Sequence, residues 1–148
     1  MLAVVQRVLS AHVDISGTQV ASINNGLLVL VCAEPTDTPA TADALLAKIL
    51  KLRIFDDAQG KMNENVQQVN GGLLLVSQFT LAADTSRGNR PGFTQAAAPD
   101  LGRFLFNYIV DQAKQQHHPV EAGHFGANMQ ISLINDGPVT IPLQINLS

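Results

Sequence analysis

Two short polar stretches hold the residue types that could do chemistry. The first is Ser77-Gln78-Phe79-Thr80, the tail of an apolar run that starts at Leu73. Ser77 and Thr80 supply hydroxyls, but a hydroxyl nucleophile needs a base within hydrogen-bond reach. Neither stretch contains a His, and Asp136 is the one acid. A strand that stops pairing offers something else, its backbone N–H groups. Two amides aimed at one point make an oxyanion hole, worth about 3 kcal/mol per donor. The second stretch is Asn135-Asp136-Gly137-Pro138-Val139-Thr140. A Gly before Pro permits backbone angles closed to other residues and can present carbonyl oxygens with no side chain in the way. A plain turn joining two strands is the simpler account. The two stretches are expected to build one site.

Other chemically capable residues have blander explanations. Cys32 lies inside an apolar strand and reads as a buried, inert thiol. His117 and His118 are adjacent with no carboxylate or Cys at ligand spacing, so they read as surface residues; His12 and His124 also lack an evident partner. Asp56-Asp57 precedes Gln59-Gly60 and reads as a turn, with no further acid at calcium-loop spacing. Lys48, Lys51 and Arg53 suit the C-terminal end of a helix. Arg87 and Arg90 sit in a loop that reads either as an exposed polar segment or as a phosphate or sugar contact.

The elements that position these residues follow from periodicity. Strands are expected over residues 2–8, 12–16 and 19–23, then a turn at Asn24-Asn25-Gly26 and a buried strand over 26–33. Pro39 opens a helix capped by Asp37 or Thr38, with Ala42, Leu45, Leu46, Ile49 and Leu52 as its buried stripe. A short strand over 53–55, a turn over 56–60 and an irregular stretch over 61–69 precede the strand 73–81. A loop covers 82–93. Pro99 opens a second helix with a stripe of Leu101, Phe104, Leu105, Tyr108 and Ile109, ending over 115–119. Strands follow over 120–123, 129–134 and 139–147, with Pro142 marking an edge or a bulge. About eight strands and two helices without βαβ alternation predict an α+β fold, mostly antiparallel and barrel-like.

Bulk properties narrow the function classes. A chain of 148 residues is expected to form one domain, residues 1–148. A net charge of −3 argues against a broad nucleic-acid-binding face, so any RNA must be gripped locally. With 14% charged residues, part of the surface is expected to be hidden in an oligomer. One Cys makes no internal disulfide and fits a reducing compartment. No signal sequence or membrane-length apolar segment is evident, so a cytoplasmic location is expected.

The two stretches resemble the paired signature motifs of the bacterial D-aminoacyl-tRNA deacylase (D-tyrosyl-tRNA(Tyr) deacylase) family. Further blocks carry the likeness along the chain: Val5-Gln6-Arg7-Val8, Lys51-Leu52-Arg53-Ile54-Phe55, Gly60-Lys61-Met62-Asn63, Gly88-Asn89-Arg90-Pro91, and Phe125-Gly126-Ala127 with Met129. The resemblance implies hydrolysis of the ester joining a D-amino acid, or glycine, to the 3′ end of tRNA, with no cofactor and no metal. It implies a homodimer with its sites at the subunit interface. Phe79 N–H, with Thr80, would bind the ester carbonyl, and Ser77 and Gln78 would shape the pocket. Gly137-Pro138 would be cis and enter the partner's pocket, braced by Arg7. Phe125 and Met129 would flank the terminal adenine. Gly92, Cys32, Ala33, Ala122, His124 and Asn128 depart from the usual pattern, all outside the two signatures.

Overall fold

The computed structural model describes residues 1–147. The Val-rich N-terminal segment is one strand, β1 (Leu2–Ile15), where two were expected. Its alternation breaks because Arg7 and Val8 are both buried while Leu9 is 52% exposed. Pairing with the last strand slips at the same place, between Gln6 and Val8 and again between Val8 and Ser10. Irregular pairing of this kind bends a strand without ending it, and in sequence it looks like a gap.

β1 is long enough to take two partners along one edge. β2 (Thr18–Ile23) runs antiparallel along its second half, and β3 (Gly26–Cys32) runs antiparallel along its first half. The register passes from Ala11 opposite Ile23 to Val8 opposite Gly26, so Asn24-Asn25 is a bend in one return path and not the expected reversal. The other edge of β1 carries β8 (Gln130–Gln144), a single strand running through Gly137-Pro138 where two were expected. Within the chain β8 is an edge strand, in keeping with Pro142.

The sheet continues from β3 to β6 (Gly72–Ser77) and then β7 (Val120–Ala122), both joins parallel. The sheet is therefore mixed: its pairings along β1 are antiparallel, in keeping with the mostly antiparallel expectation, and these two joins are the parallel ones. The signal was present: the runs Leu27-Leu28-Val29 and Leu73-Leu74-Leu75 are buried on both faces, as parallel strands usually are. Gly26 and Gly72 open this pair at close range. A Cβ on Gly26 would lie 2.5 Å from the Gly72 nitrogen, inside any tolerable contact.

Two helices cover one face. α1 (Pro39–Lys51) starts at Thr38, whose side chain and that of Thr41 form a capping box, and it ends with Lys48 and Lys51 in the last turn. Arg53 lies past the helix, where its guanidinium donates to the carbonyl and the side-chain oxygen of Asn63, each at 2.9 Å. α2 (Pro99–Gln116) buries Leu105, Phe106, Ile109, Val110 and Ala113. The expected stripe is turned aside: Phe104 is 54% exposed, and the Tyr108 hydroxyl donates to Asp43 at 2.8 Å. The opposite face of the sheet curls on itself, with Val8, Val13, Ile23, Leu28, Leu74 and Val76 in a second core. The result is a nearly closed, barrel-like mixed sheet with two helices.

Outside the sheet, β4 (Phe55–Asp56) and β5 (Met62–Glu64) form a small hairpin, so part of the expected irregular stretch is strand. Asp57 organises its turn by accepting from Gln59 N, Lys61 N and Asn63 Nδ2 at 2.9, 3.0 and 2.8 Å. Those donors, the Asn63 amide first, hold its carboxyl below the usual carboxylate range. No helix among the described residues is long and apolar enough to cross a membrane.

Candidate functional site: a cavity at the ends of two parallel strands

The parallel strands β3 and β6 end side by side, and a cavity of about 640 Å³ opens there. Ligand sites favour such strand ends, where a rigid sheet hands over to loops. The walls include Val31 and Cys32 from β3 with Ala33 just past it, Val76 through Phe79 from β6 and its tail, Phe93, Ala96 and Ala97, the first turns of α2, and residues 125–129.

The tail of β6 shows why the polar residues sit where they do. Gln78 N still donates to Val31 O at 2.8 Å, the last rung of the ladder. The chain then turns into a 3-10 helix, Phe79–Ala82. The N–H groups of Phe79 and Thr80 lie in its first turn and find no acceptor among the described residues. Phe79 is 57% exposed and lines the cavity, packed edge-to-face on Phe93 with ring centroids 5.0 Å apart. The Gln78 side-chain amide donates to Thr80 Oγ1. No His, Asp or Glu lines the cavity among the described residues.

Cys32 stands in the wall with its thiol aimed at Phe79 O, 3.6 Å away. Burial first, and then the nearby Glu34 carboxylate, push this thiol up from its ordinary value, so it stays protonated and un-nucleophilic at neutral pH.

Phe125 and Met129 form the apolar side. Phe125 carries the Arg103 guanidinium over its ring, 5.0 Å from the centroid. Gly102 makes room for it, since a Cβ there would come within 3.2 Å of Phe125 Cζ. Arg103, Phe93, Ala96 and Ala97 were not expected at the site. A glycine inside a helix was the available signal, because it marks close approach by a neighbour. Ala97 N donates to Ala33 O at 2.9 Å and ties this wall to β3.

The cavity thus brings together Ser77, Gln78, Phe79, Phe125 and Met129, and it does not include Thr80, Arg7, Gly137 or Pro138. The second stretch lies on β8 against β1, and within one chain the two stretches do not line one cavity. The Gly137-Pro138 bond is cis. Asn135 closes the stretch on itself: its Oδ1 accepts from Val139 N at 2.8 Å, and its Nδ2 donates to Val139 O at 3.0 Å. Arg7, 9% exposed, reaches it from β1. Arg7 Nε donates to Asp136 O at 2.9 Å, and Nη1 donates to Ile54 O at 2.7 Å. The Asp136 and Asp56 carboxylates lie 3.5 and 3.7 Å from the guanidinium.

The histidines differ from expectation in two places. His117 is half-buried with Nε2 at 2.7 Å from Gly71 O, and His12 Nε2 lies 3.6 Å from Asp14 Oδ2, two residues along the same strand face. No group of three or more His, Cys, Asp or Glu side chains is arranged to hold a metal ion among the described residues.

The family model described as D-Tyr-tRNA(Tyr) deacylase matches residues 4–144. A D-aminoacyl-tRNA deacylase from Variovorax paradoxus (strain S110) is 64% identical over 145 residues, covering 98% of this chain and 99% of the relative. One from Paracidovorax citrulli (strain AAC00-1) is 62% identical over 145 residues, covering 98% of this chain and 94% of the relative. Among solved structures, that of a c-Myc DNA Unwinding Element Binding Protein is similar with a TM-score of 0.94 and 37% identity, over 99% of this chain and 100% of that one.

Proposed function

Because the chain belongs to the D-Tyr-tRNA(Tyr) deacylase family, hydrolases acting on ester bonds of aminoacyl-tRNA, we propose that residues 1–148 act as one domain that cleaves the ester between a D-amino acid and the 3′ end of tRNA. Glycyl-tRNA, including glycine mischarged on tRNA(Ala), is a substrate as well, since glycine has no side chain to reject. The enzyme works in the cytoplasm.

The observation that carries this reading is the pair of free amides, Phe79 N–H and Thr80 N–H, beside a cavity wall that holds no base. Water attacks the ester carbonyl, and the developing oxyanion accepts from Phe79 N–H, joined by Thr80 N–H. Each preorganised donor lowers the barrier by about 3 kcal/mol. The 2′-hydroxyl of the terminal ribose helps activate the water. The C–O bond to the ribose then breaks, and its oxygen leaves with a proton as a free hydroxyl. Ser77 and Gln78 shape the pocket floor. Phe125 and Met129 flank the terminal adenine, an apolar slot of the kind that bases stack in.

Chirality needs the second stretch. Gly137 and Pro138 are exposed and stand clear of the cavity of their own chain. In a homodimer, Gly137 and Pro138 of the partner subunit enter the cavity, and their carbonyls hold the substrate amino group and block an L side chain. A thousandfold preference requires about 4 kcal/mol of differential barrier, within reach of a backbone clash. Arg7 fixes the height of this stretch through the Asp136 carbonyl.

The 37% likeness to a protein described as binding a DNA unwinding element favours a second reading, a nucleic-acid-binding module without catalysis. The net charge of −3 counts against it. Hydrolysis of D-tyrosyl-tRNA beside L-tyrosyl-tRNA by the purified protein separates the two. Rapid loss of the D ester alone is expected. Loss of neither ester, with tight salt-sensitive DNA binding, would establish the second reading in its place.

A further inference from the structure

The chain has five arginines. Two are committed within the fold: Arg7 to the carbonyls of Asp136 and Ile54, and Arg53 to Asn63. The other three, Arg87, Arg90 and Arg103, are exposed and have no carboxylate or hydrogen-bond partner among the described residues. All three lie on segments that border the cavity. Arg103 is in its wall. Arg87 and Arg90 sit on a small closed loop, pinned where Asp84 and Gly92 exchange hydrogen bonds of 2.8 and 2.9 Å. Asp84, the one acid of this loop, is exposed, and its carboxylate accepts from Ser86 N at 2.9 Å. The loop leaves from the 3-10 helix that begins at Phe79, and it returns at Phe93, which packs on Phe79.

We propose that Arg87 and Arg90 grip the phosphate backbone of the RNA strand whose terminal nucleotide enters the cavity, and that Arg103 continues this track at the cavity wall. The proposal rests on the tRNA-ester reading and says where the RNA lies. An acidic protein must bind a polyanion through a local cationic patch, and guanidinium groups suit phosphate oxygens by their paired donors. The remaining cations are placed elsewhere: Lys48 and Lys51 end α1, Lys61 lies in the β4–β5 turn, and Lys114 lies in the last turn of α2.

The test compares the parent with Arg87→Gln/Arg90→Gln in two assays. In the first, binding of uncharged tRNA is measured across a salt series. Each phosphate contact contributes roughly 0.7–0.9 to the slope of log K against log salt. The double variant is expected to show a slope shallower by about 1.5, and adding Arg103→Gln to flatten it further. In the second, D-tyrosyl-tRNA is compared with the D-tyrosyl ester of adenosine, which carries no phosphate. The ratio of the two rates is expected to fall about tenfold in the double variant at roughly 0.2 M salt, the factor that a slope change of about 1.5 gives between about 1 M and that concentration. An unchanged slope overturns the grip. So does an equal loss on both esters, or an equal flattening in the charge-matched control Lys61→Gln/Lys114→Gln. If the parent cleaves neither ester but its slope still depends on Arg87 and Arg90, the deacylase reading falls and the RNA grip stands.

Discussion

Replacing Arg7 tests how the second stretch is held. Arg7 is almost wholly buried, and its guanidinium spans two backbone carbonyls, Asp136 O and Ile54 O, at 2.9 and 2.7 Å. A hydrogen bond from a charged donor contributes about 1.5–3 kcal/mol net. The two ion pairs add little, because Asp136 and Asp56 are about half exposed and water screens them. Arg7→Ala is therefore expected to cost about 3–5 kcal/mol, within the usual penalty for emptying a buried charged site. For a chain of this size that lowers the melting temperature by roughly 10 °C. Arg7→Lys keeps the charge but cannot span both carbonyls, so it is expected to recover no more than about half of the loss. Urea unfolding at fixed protein concentration reads the stability, and the ratio of D- to L-tyrosyl-tRNA hydrolysis reads the site. Both variants are expected to narrow that ratio while still folded. A loss below about 1 kcal/mol in Arg7→Ala, or an Arg7→Lys protein indistinguishable from the parent in both assays, would refute the two-carbonyl account.

Three further outcomes are expected. Gly26→Ala forces a Cβ into the Gly72 backbone, which cannot move as a side chain could, and is expected to destabilise by about 3 kcal/mol or more; thermal unfolding checks it. Thr80→Ala is expected to keep a large part of the deacylase activity, because the proposed donors are backbone amides; complete loss in a folded protein would restore Thr80 as a nucleophile. Asp57 is held below its ordinary value, so its turn is fully formed above pH 3.8 and loses that support only as pH falls below it; the amide resonances of Gln59 and Lys61 are expected to shift there, and in Asp57→Ala to be displaced at all pH values.

How much of this could be read from the sequence depends on how local each cause is. The helix starts were legible because proline and a capping side chain act within one turn, as at Thr38-Pro39. The position of the first polar stretch was legible too, since Ser77 and Gln78 follow an apolar run that can only be a buried strand. The continuity of β1 and β8 was not, because irregular pairing at Val8 and a Gly-Pro step mid-strand look like breaks until the partner strand is present. The bend at Asn24-Asn25 failed for a related reason: residues that tolerate a reversal also tolerate a kink, and only β1 decides between them. The far wall of the cavity was hidden because Arg103 reaches it through the packing of α2, and Ala97 through its hydrogen bond to the distant Ala33. Phe104 and Tyr108 misled on helical spacing alone, since the sheet chooses which side of α2 faces inward.

The pairing of β1 with β8 also sets an order in time. Leu2 lies opposite Gln144 and Asp14 opposite Gln130, so the two strands leave the ribosome separated by nearly the whole chain. At synthesis rates of about 5–20 residues per second, that separation lasts on the order of 10 s. β2 and β3 can cover one edge of β1 early, but its other edge stays open throughout. The nascent chain therefore carries an unpaired Val-rich strand, the kind of surface that chaperones hold and that neighbouring chains on a polysome can capture. Slowing translation between β3 and β8 would lengthen that exposure and lower the soluble yield, although no residue of the finished protein would have changed.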